Sequence, residues 1–577
     1  MPEPLSHPGT CGGRTPGADK PGRRWPGAIA VAVFCLVAMP VFLTRPAGAV
    51  PPDQISLDLS ARLADLAQAA ATPETGRRTA ALMIAAAALP DLAARAATDP
   101  ALGPPLGPVL PPVLAPVLAP VLAPVLAPDA PPAGAPDAPP AGADAPPAGA
   151  GAPPAGARLN MRLALTMLSQ AYGDENTGTV LAAQTEPDRT ALALTAGRAR
   201  LADVAALLAE TGLPGGAIPG GVELRVALVI WPGAELVLAR GEVLQLSRAD
   251  GAFVMNFGSL VVDGATILAT PTPHPVARSF RPFVTTADAG SLILRGAHLQ
   301  GLGFGETLKF SGVSVLRSLL RPATQPARIE DTLFEDVLTL GISADAGVLV
   351  RGNRFRDMRG AALSVTRTAQ ARVLGNLFSG GLPTNAIRLE AASRDGILAG
   401  NVILGGHRAG IVVRAGSPRA LVSGNVIWAR DGGGILLSGS ACGRIEGNLV
   451  IGNRQKGIEL RDAPAATITA NSVLSNDSAA IWVGDQPKGA LTRIEGNVLA
   501  FNGAGLAAAS GGRLMLAAND LSRQFLQFLS GDLGTQVAAL NRDMRGAAPV
   551  MLTAAGTTPA SDADLAPDPA CAPPPRP

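Results

Sequence analysis

Ring-bearing side chains are scarce in this chain: aromatics make up 3% of its 577 residues, with a single tyrosine (Tyr172), and there are only four histidines. The formal charge is only +2. A nucleic-acid groove needs a concentrated basic face and stacking rings, so nucleic acid is excluded as a partner. Cysteine is equally sparse, at four residues. No spacing of Cys, His, Asp or Glu resembles a metal site, and neither a metal nor a cofactor is expected. Long helical stripes are also missing from the second half of the chain, where apolar residues alternate or run in fours between Gly, Asn, Asp and Ser. Those segments predict short strands.

What the sequence does have is a period. Asn353, Asn376, Asn401, Asn425, Asn448, Asn471, Asn497 and Asn519 each follow a small residue, at separations of 23, 25, 24, 23, 23, 26 and 22. A repeat of this length marks a solenoid, since one unit cannot bury its apolar side until neighbours stack on it. Leucine-rich repeats need a helical segment that is missing here, and propeller blades are roughly twice as long. The fold class predicted is therefore all-β, a right-handed parallel β-helix with coils about 4.8 Å apart. Fainter copies at Val262–Gly264, Arg295–Ala297 and Glu330–Thr332 extend it to residues 222–522. Asn tolerates a left-handed corner, and its amide can pair with the Asn of the next coil, so an internal ladder is expected.

The flanks read differently. Residues 1–49 carry Arg23 and Arg24, an apolar stretch from Ala28 to Leu43 and the small residues Ala47-Gly48-Ala49, which predicts an export signal or an N-terminal membrane anchor. The expected location is periplasmic or secreted. Residues 50–103 form an alanine-rich helical segment with Leu57, Leu63, Leu66, Leu82, Ile84 and Leu89. Residues 104–157 are a Pro/Ala-rich low-complexity linker, suited to a polyproline II spacer. Residues 158–221 are expected to form a mixed helical and strand cap, 523–554 a C-terminal cap, and 555–577 a disordered tail. Cys442 and Cys571, which remain after loss of the leader, either pair in an oxidising compartment or stay as thiols.

Val243-Leu244-Gln245-Leu246-Ser247, Gly251-Ala252-Phe253-Val254 and Ser279-Phe280-Arg281-Pro282-Phe283 together resemble the lead-in of periplasmic mannuronan C5-epimerases, alginate-modifying β-helix enzymes. The resemblance spans about residues 220–520. It implies proton abstraction from C5 of a uronate and return of a proton on the other face, which requires a base, an acid and cations beside the sugar carboxylate. The family's Asp-Pro-His-Asp signature would fall where this chain reads Leu363-Ser364-Val365-Thr366, and its following arginine falls on Ala391, near Arg388 and Arg394. The expected base is absent. His407 is the remaining catalytic candidate, with His274 and His298 behind it.

Strand alternation places Arg388, Glu390, Val412, Arg414, Leu436, Ser438, Glu459, Arg461 and Trp482 on the outside of successive coils. Arg388, Arg414 and Arg461, with Lys456, are candidate ligands for the carboxylates of an acidic polysaccharide, and Trp482 for stacking on a sugar. The alternative is that the arginines and Glu390 and Glu459 simply pair with one another. Three functions follow: an epimerase or lyase with a relocated base, a non-catalytic polysaccharide-binding protein working with exopolysaccharide export machinery, or a β-helix with an unrelated surface or cofactor-delivery role. A monomer is expected.

Overall fold

The structure is a computed structural model and describes residues 153–184, 189–318, 325–524, 527–566 and 568–572. The expectations for the leader, the 50–103 segment and nearly all of the linker lie outside these residues.

Each coil contributes three short strands to three stacked parallel sheets. In one coil the order is Ile397–Ala399 on the side sheet, Val402–Leu404 on the back sheet and Ile411–Arg414 on the front sheet. Pairing is in register from coil to coil, for example Ile397 with Leu421, Ile403 with Ile427 and Ile411 with Ile435. Every strand points its central or alternate residues inward. The result is columns of buried side chains: Phe334, Phe355 and Phe378 stack with ring centroids 4.9 and 4.6 Å apart, and Ile403, Ile427, Val450 and Val473 continue the column.

The asparagine ladder forms at the corner between side and back sheets. All eight residues are buried, and from Asn353 to Asn497 each Nδ2 donates to the Oδ1 of the next at 2.8–2.9 Å. The same oxygen accepts the backbone N–H of the Asn below, as Asn401 Oδ1 does from Asn376. The left-handed backbone expected of the asparagines belongs instead to the residue before each, Gly352, Gly375, Gly400, Gly424, Gly447, Ala470, Gly496 and Ala518, at φ between 53 and 65°. Glycine adopts that φ without steric penalty, which explains the small residue in the repeat.

Two further ladders escaped the sequence reading. Asn453, Asn476, Asn502 and Gln524 form a second amide ladder at the turn between back and front sheets. At the front-to-side corner, the backbone N–H groups of Thr368, Ser393 and Ser417 each donate to the hydroxyl of Ser393, Ser417 and Ser440. Buried corners leave backbone groups without strand partners, and these side chains satisfy them.

The stack extends beyond 222–522. Thr190–Arg200, expected in the cap, already pairs in parallel with Leu228–Ile230 and Ala234–Leu238, and the last parallel strand of the front sheet is Leu529–Gly531. Ala155–Asn160, partly assigned to the linker, is a strand antiparallel to Thr190–Arg200. Helix α1 (Met161–Tyr172) packs Leu165 and Leu168 on the outer face of the front sheet, helix α2 (Thr177–Ala182) follows, and helix α3 (Leu201–Thr211) buries Leu201, Val204, Leu207 and Leu208 over the open N-terminal end. The lead-in motif has a packing role here: Phe253 and Phe283 stack at 4.6 Å, and Phe280, Phe304 and Phe310 complete the cluster beneath α1.

At the other end the tail expected to be disordered is ordered as far as residue 572. Val550–Thr553 pairs antiparallel with Arg513–Ala517 and with Gly556–Pro559. Arg493 then donates to the carbonyls of Asp564 and Ala566, and a disulfide joins Cys571 to Cys442. Of the two states the sequence left open, paired or free, the structure has the pair, a covalent clasp that closes a separation of 129 residues.

Candidate functional site

The outer face of the front sheet is overlaid by described elements at its beginning and carries charged side chains afterwards. Over the first coils α1 and the segment 302–311 lie on it: Thr285 Oγ1 donates to the carbonyl of Lys309, Ser314 Oγ to that of Leu308, and a Cβ on Gly341 would stand 3.0 Å from the Leu308 side chain. Among the described elements that cover ends there, although Ser364, Val412 and Ala507 further along are still no more than 7% exposed. Beyond it two outward columns run up the sheet, one of Ser364, Arg388, Val412, Leu436, Glu459, Trp482 and Ala507, the other of Thr366 and Glu390, then Arg414, Ser438, Arg461, Gly484 and Ala509.

Arg388, Arg414, Arg461 and Trp482 therefore share one face, and Lys456 joins them from the turn before Ile458–Arg461. They fall into two clusters separated by Val412 and Leu436. In the first, Arg414 is 3.1 Å from Glu390, while Arg388 donates to Asn385 Oδ1 at 3.1 Å and Thr384 Oγ1 at 2.9 Å and lies 3.9 Å from Glu390. Burial, joined by the nearby Arg414 and Arg408 charges, pulls the Arg388 guanidinium below its usual pKa, against the opposing pull of Glu390.

The second cluster is built around a ring. Glu459 takes Lys456 at 2.9 Å and Arg461 at 2.5 Å, and Arg461 also approaches Asp485 at 3.7 Å. Both cations sit over the Trp482 indole, at 4.4 and 4.7 Å from its centroid. The ring lies flat beside its own strand: a Cβ on Gly484 would be 2.1 Å from the indole. Ala479, Ala504 and Ala507 form the floor. Four cations thus face three carboxylates, Glu390, Glu459 and Asp485. The mutual pairing foreseen as the alternative is present, and it leaves the face close to neutral with a small cationic excess.

Chemistry at C5 would need a base on this face. Leu363 and Val365 are core, Ser364 and Thr366 point out, and Ala391 occupies a left-handed turn at φ 53° with Arg394 exposed beside it. None of these is an imidazole or a carboxylate; the carboxylates of the face, Glu390 and Glu459, are paired with Arg414, Lys456 and Arg461. His407 lies off the columns, on the turn between back and front sheets, 62% exposed, with Nδ1 2.9 Å from Asp431, itself 3.4 Å from Arg454. His298 Nε2 sits 3.1 Å from Glu335 on the back sheet. His274 is buried in the loop before Phe280; its Nδ1 accepts the N–H groups of Val276 and Ala277, and burial lowers its pKa. Among the described residues no cluster of three His, Cys, Asp or Glu could hold a metal ion.

The acidic partners of the arginines were legible from alternation, but the Lys456–Trp482–Arg461 stack was not. Lys456 belongs to a turn whose path a period cannot specify, and Gly484, which makes room for the ring, looks like any other turn glycine.

The family model "Right handed beta helix region" matches residues 338–521. No curated protein matches the chain. Among solved structures, the chain is similar to the periplasmic alginate epimerase AlgG (18% identity, 62% of this chain and 81% of that one, TM-score 0.47). It is also similar to the Azotobacter vinelandii mannuronan C-5 epimerase AlgE6 A-module (12% identity, 53% and 86%, TM-score 0.32) and to PfbA, a surface adhesin of Streptococcus pneumoniae (10% identity, 53% and 83%, TM-score 0.28). The stacked parallel strands and the match of the family model make the fold plain: the chain is a right-handed parallel β-helix protein.

Proposed function

We propose that the protein is an exported β-helix that binds an acidic, uronate-type polysaccharide along the front sheet and does not epimerise it. The observation that carries this reading is the in-register placement of Arg388, Arg414, Arg461 and Trp482, with Lys456, on one outward face. Arg388 and Trp482 stand four coils apart, about 19 Å at strand spacing, which suits an extended polymer better than a small molecule. Guanidinium forks can exchange their internal carboxylates for those of the polymer, so the ion pairs hold the side chains in position before binding. The columns carry no histidine, and their two carboxylates, Glu390 and Glu459, are engaged by Arg414, Lys456 and Arg461. The disulfide supports export, because such bonds persist in oxidising compartments.

Titration calorimetry with polymannuronate tests the proposal. Binding should weaken with added salt, and Arg414→Ala combined with Arg461→Ala should reduce affinity by about tenfold or more, since each charge-assisted hydrogen bond contributes about 1.5–3 kcal/mol. Unchanged affinity in the double variant, or equal affinity for a neutral glucan, would refute it.

A further inference from the structure

The back sheet changes character halfway along the solenoid. Its early strands direct polar groups outward, where His298, Glu335 and Arg356 form a partly buried ion-pair network. In the three strands from Val402–Leu404 to Leu449–Ile451 the outward positions are all apolar: Val402 and Leu404, Val426 and Trp428, Leu449 and Ile451; the next strand alternates Ser472 with Leu474 there. Alternation is unambiguous, since Ile403, Ile427 and Val450 between them belong to the core. Strands that run apolar on both faces are those covered on both faces. The outward six are indeed no more than 7% exposed, and Trp428 is fully buried. The described helices lie elsewhere: α1 on the front sheet, α3 on the N-terminal end, and the C-terminal helical turn Asp562–Leu565 near Arg493 of the side sheet.

We infer that this outer face of the back sheet is the docking site of the chain's own alanine-rich segment, residues 53–97. The 152 residues before Pro153 hold one stretch with leucines spaced on alanine-rich faces, carrying Leu57, Leu63, Leu66, Leu82, Ile84 and Leu89. The other apolar stretch there, Ala28–Leu43, belongs to the leader, and 104–157 is interrupted by proline throughout. Dimensions agree. The five back strands from Val402 to Ala500 span about 19 Å at strand spacing, the length of a helix of about 13 residues, and the segment has room for two. A three-residue strand is about 10 Å long, one helix diameter. Alanine lets a helix backbone come close to the sheet, with leucines fitting between Val426, Trp428 and Ile451. The intervening residues 98–152 reach about 170 Å if extended as polyproline II, so the tether permits the return.

The segment would thus serve as an intramolecular cover for an otherwise exposed apolar face. Hydrogen exchange on the full chain tests this without any substitution. Amides within 53–97 should exchange at least about 100-fold more slowly than an unstructured chain; free exchange throughout would overturn the inference. Placement is read by p-benzoylphenylalanine at position 404, at the edge of the patch. The expected product is a crosslink within one chain to a peptide from 53–97. Crosslinking to another segment or to a second copy, or no crosslink, would overturn it. Leu63→Asp with Leu66→Asp in the full chain should raise binding of an apolar dye while the β-sheet circular dichroism signal persists; unchanged dye binding would count against the inference.

Discussion

Asn425 shows what one residue does in this fold. Its Oδ1 accepts both the backbone N–H and the Nδ2 of Asn401, and its own Nδ2 donates to the Leu398 carbonyl and to Asn448. Asn425→Ala would strand two buried donors at once. With about 1–3 kcal/mol for each unsatisfied group, a loss of about 3 kcal/mol is expected in chemical denaturation. A change below about 1 kcal/mol would mean that water can replace the amide. His274 makes a second prediction at this scale. Its Nδ1 is occupied as an acceptor and burial holds its folded pKa below the usual 6.5, so the unfolded chain binds more protons. Stability contributed here is present above pH 6.5 and is lost as pH falls through that value toward the folded pKa. The melting temperature should decline on acidification more steeply in the parent than in His274→Asn, whose amide oxygen can accept the same N–H groups without titrating.

Among the elements, the front strands carry the candidate site and the C-terminal segment holds the last coils. Gly484→Val tests the first: its side chain would displace the Trp482 indole from beneath Lys456 and Arg461. Polysaccharide affinity should fall several-fold, in line with about 1 kcal/mol per cation over a ring, while the melting temperature changes little because the position faces outward. Cys571→Ser tests the second. Loss of the clasp should lower stability by about 2–4 kcal/mol and speed hydrogen exchange through 548–572. The two elements also show what a sequence can and cannot disclose. Strands, corners and the main ladder were legible because a period of 22 to 26 residues repeats the same physical demand eight times. The second ladder was hidden because it has only three asparagines and ends in Gln524. The tail was misread as disordered because its Pro-rich composition says nothing of Arg493, Arg513 and Cys442, the distant groups that bind it.

On the scale of the whole molecule, the three faces of one solenoid differ in character. The side sheet receives the C-terminal segment, the back sheet has apolar outward residues along three successive strands, and the front sheet beyond Gly341 carries the cations and Trp482. Stability in such a stack is distributed between neighbouring coils, so substitutions on the outward columns should alter binding without unfolding the rest. Where the resemblance implies a histidine, the front face offers Ser364 and Thr366, so the account separates holding a uronate polymer from reacting with it. One nuclear magnetic resonance titration probes both halves of that claim: mannuronan oligomers in deuterated water, with the sugar H5 signal followed as protein is added. The account predicts line broadening that salt reverses, with the H5 intensity retained over hours. Loss of H5 to deuterium would contradict the claim that the face is non-catalytic, and sharp, unshifted lines would contradict the claim that it binds.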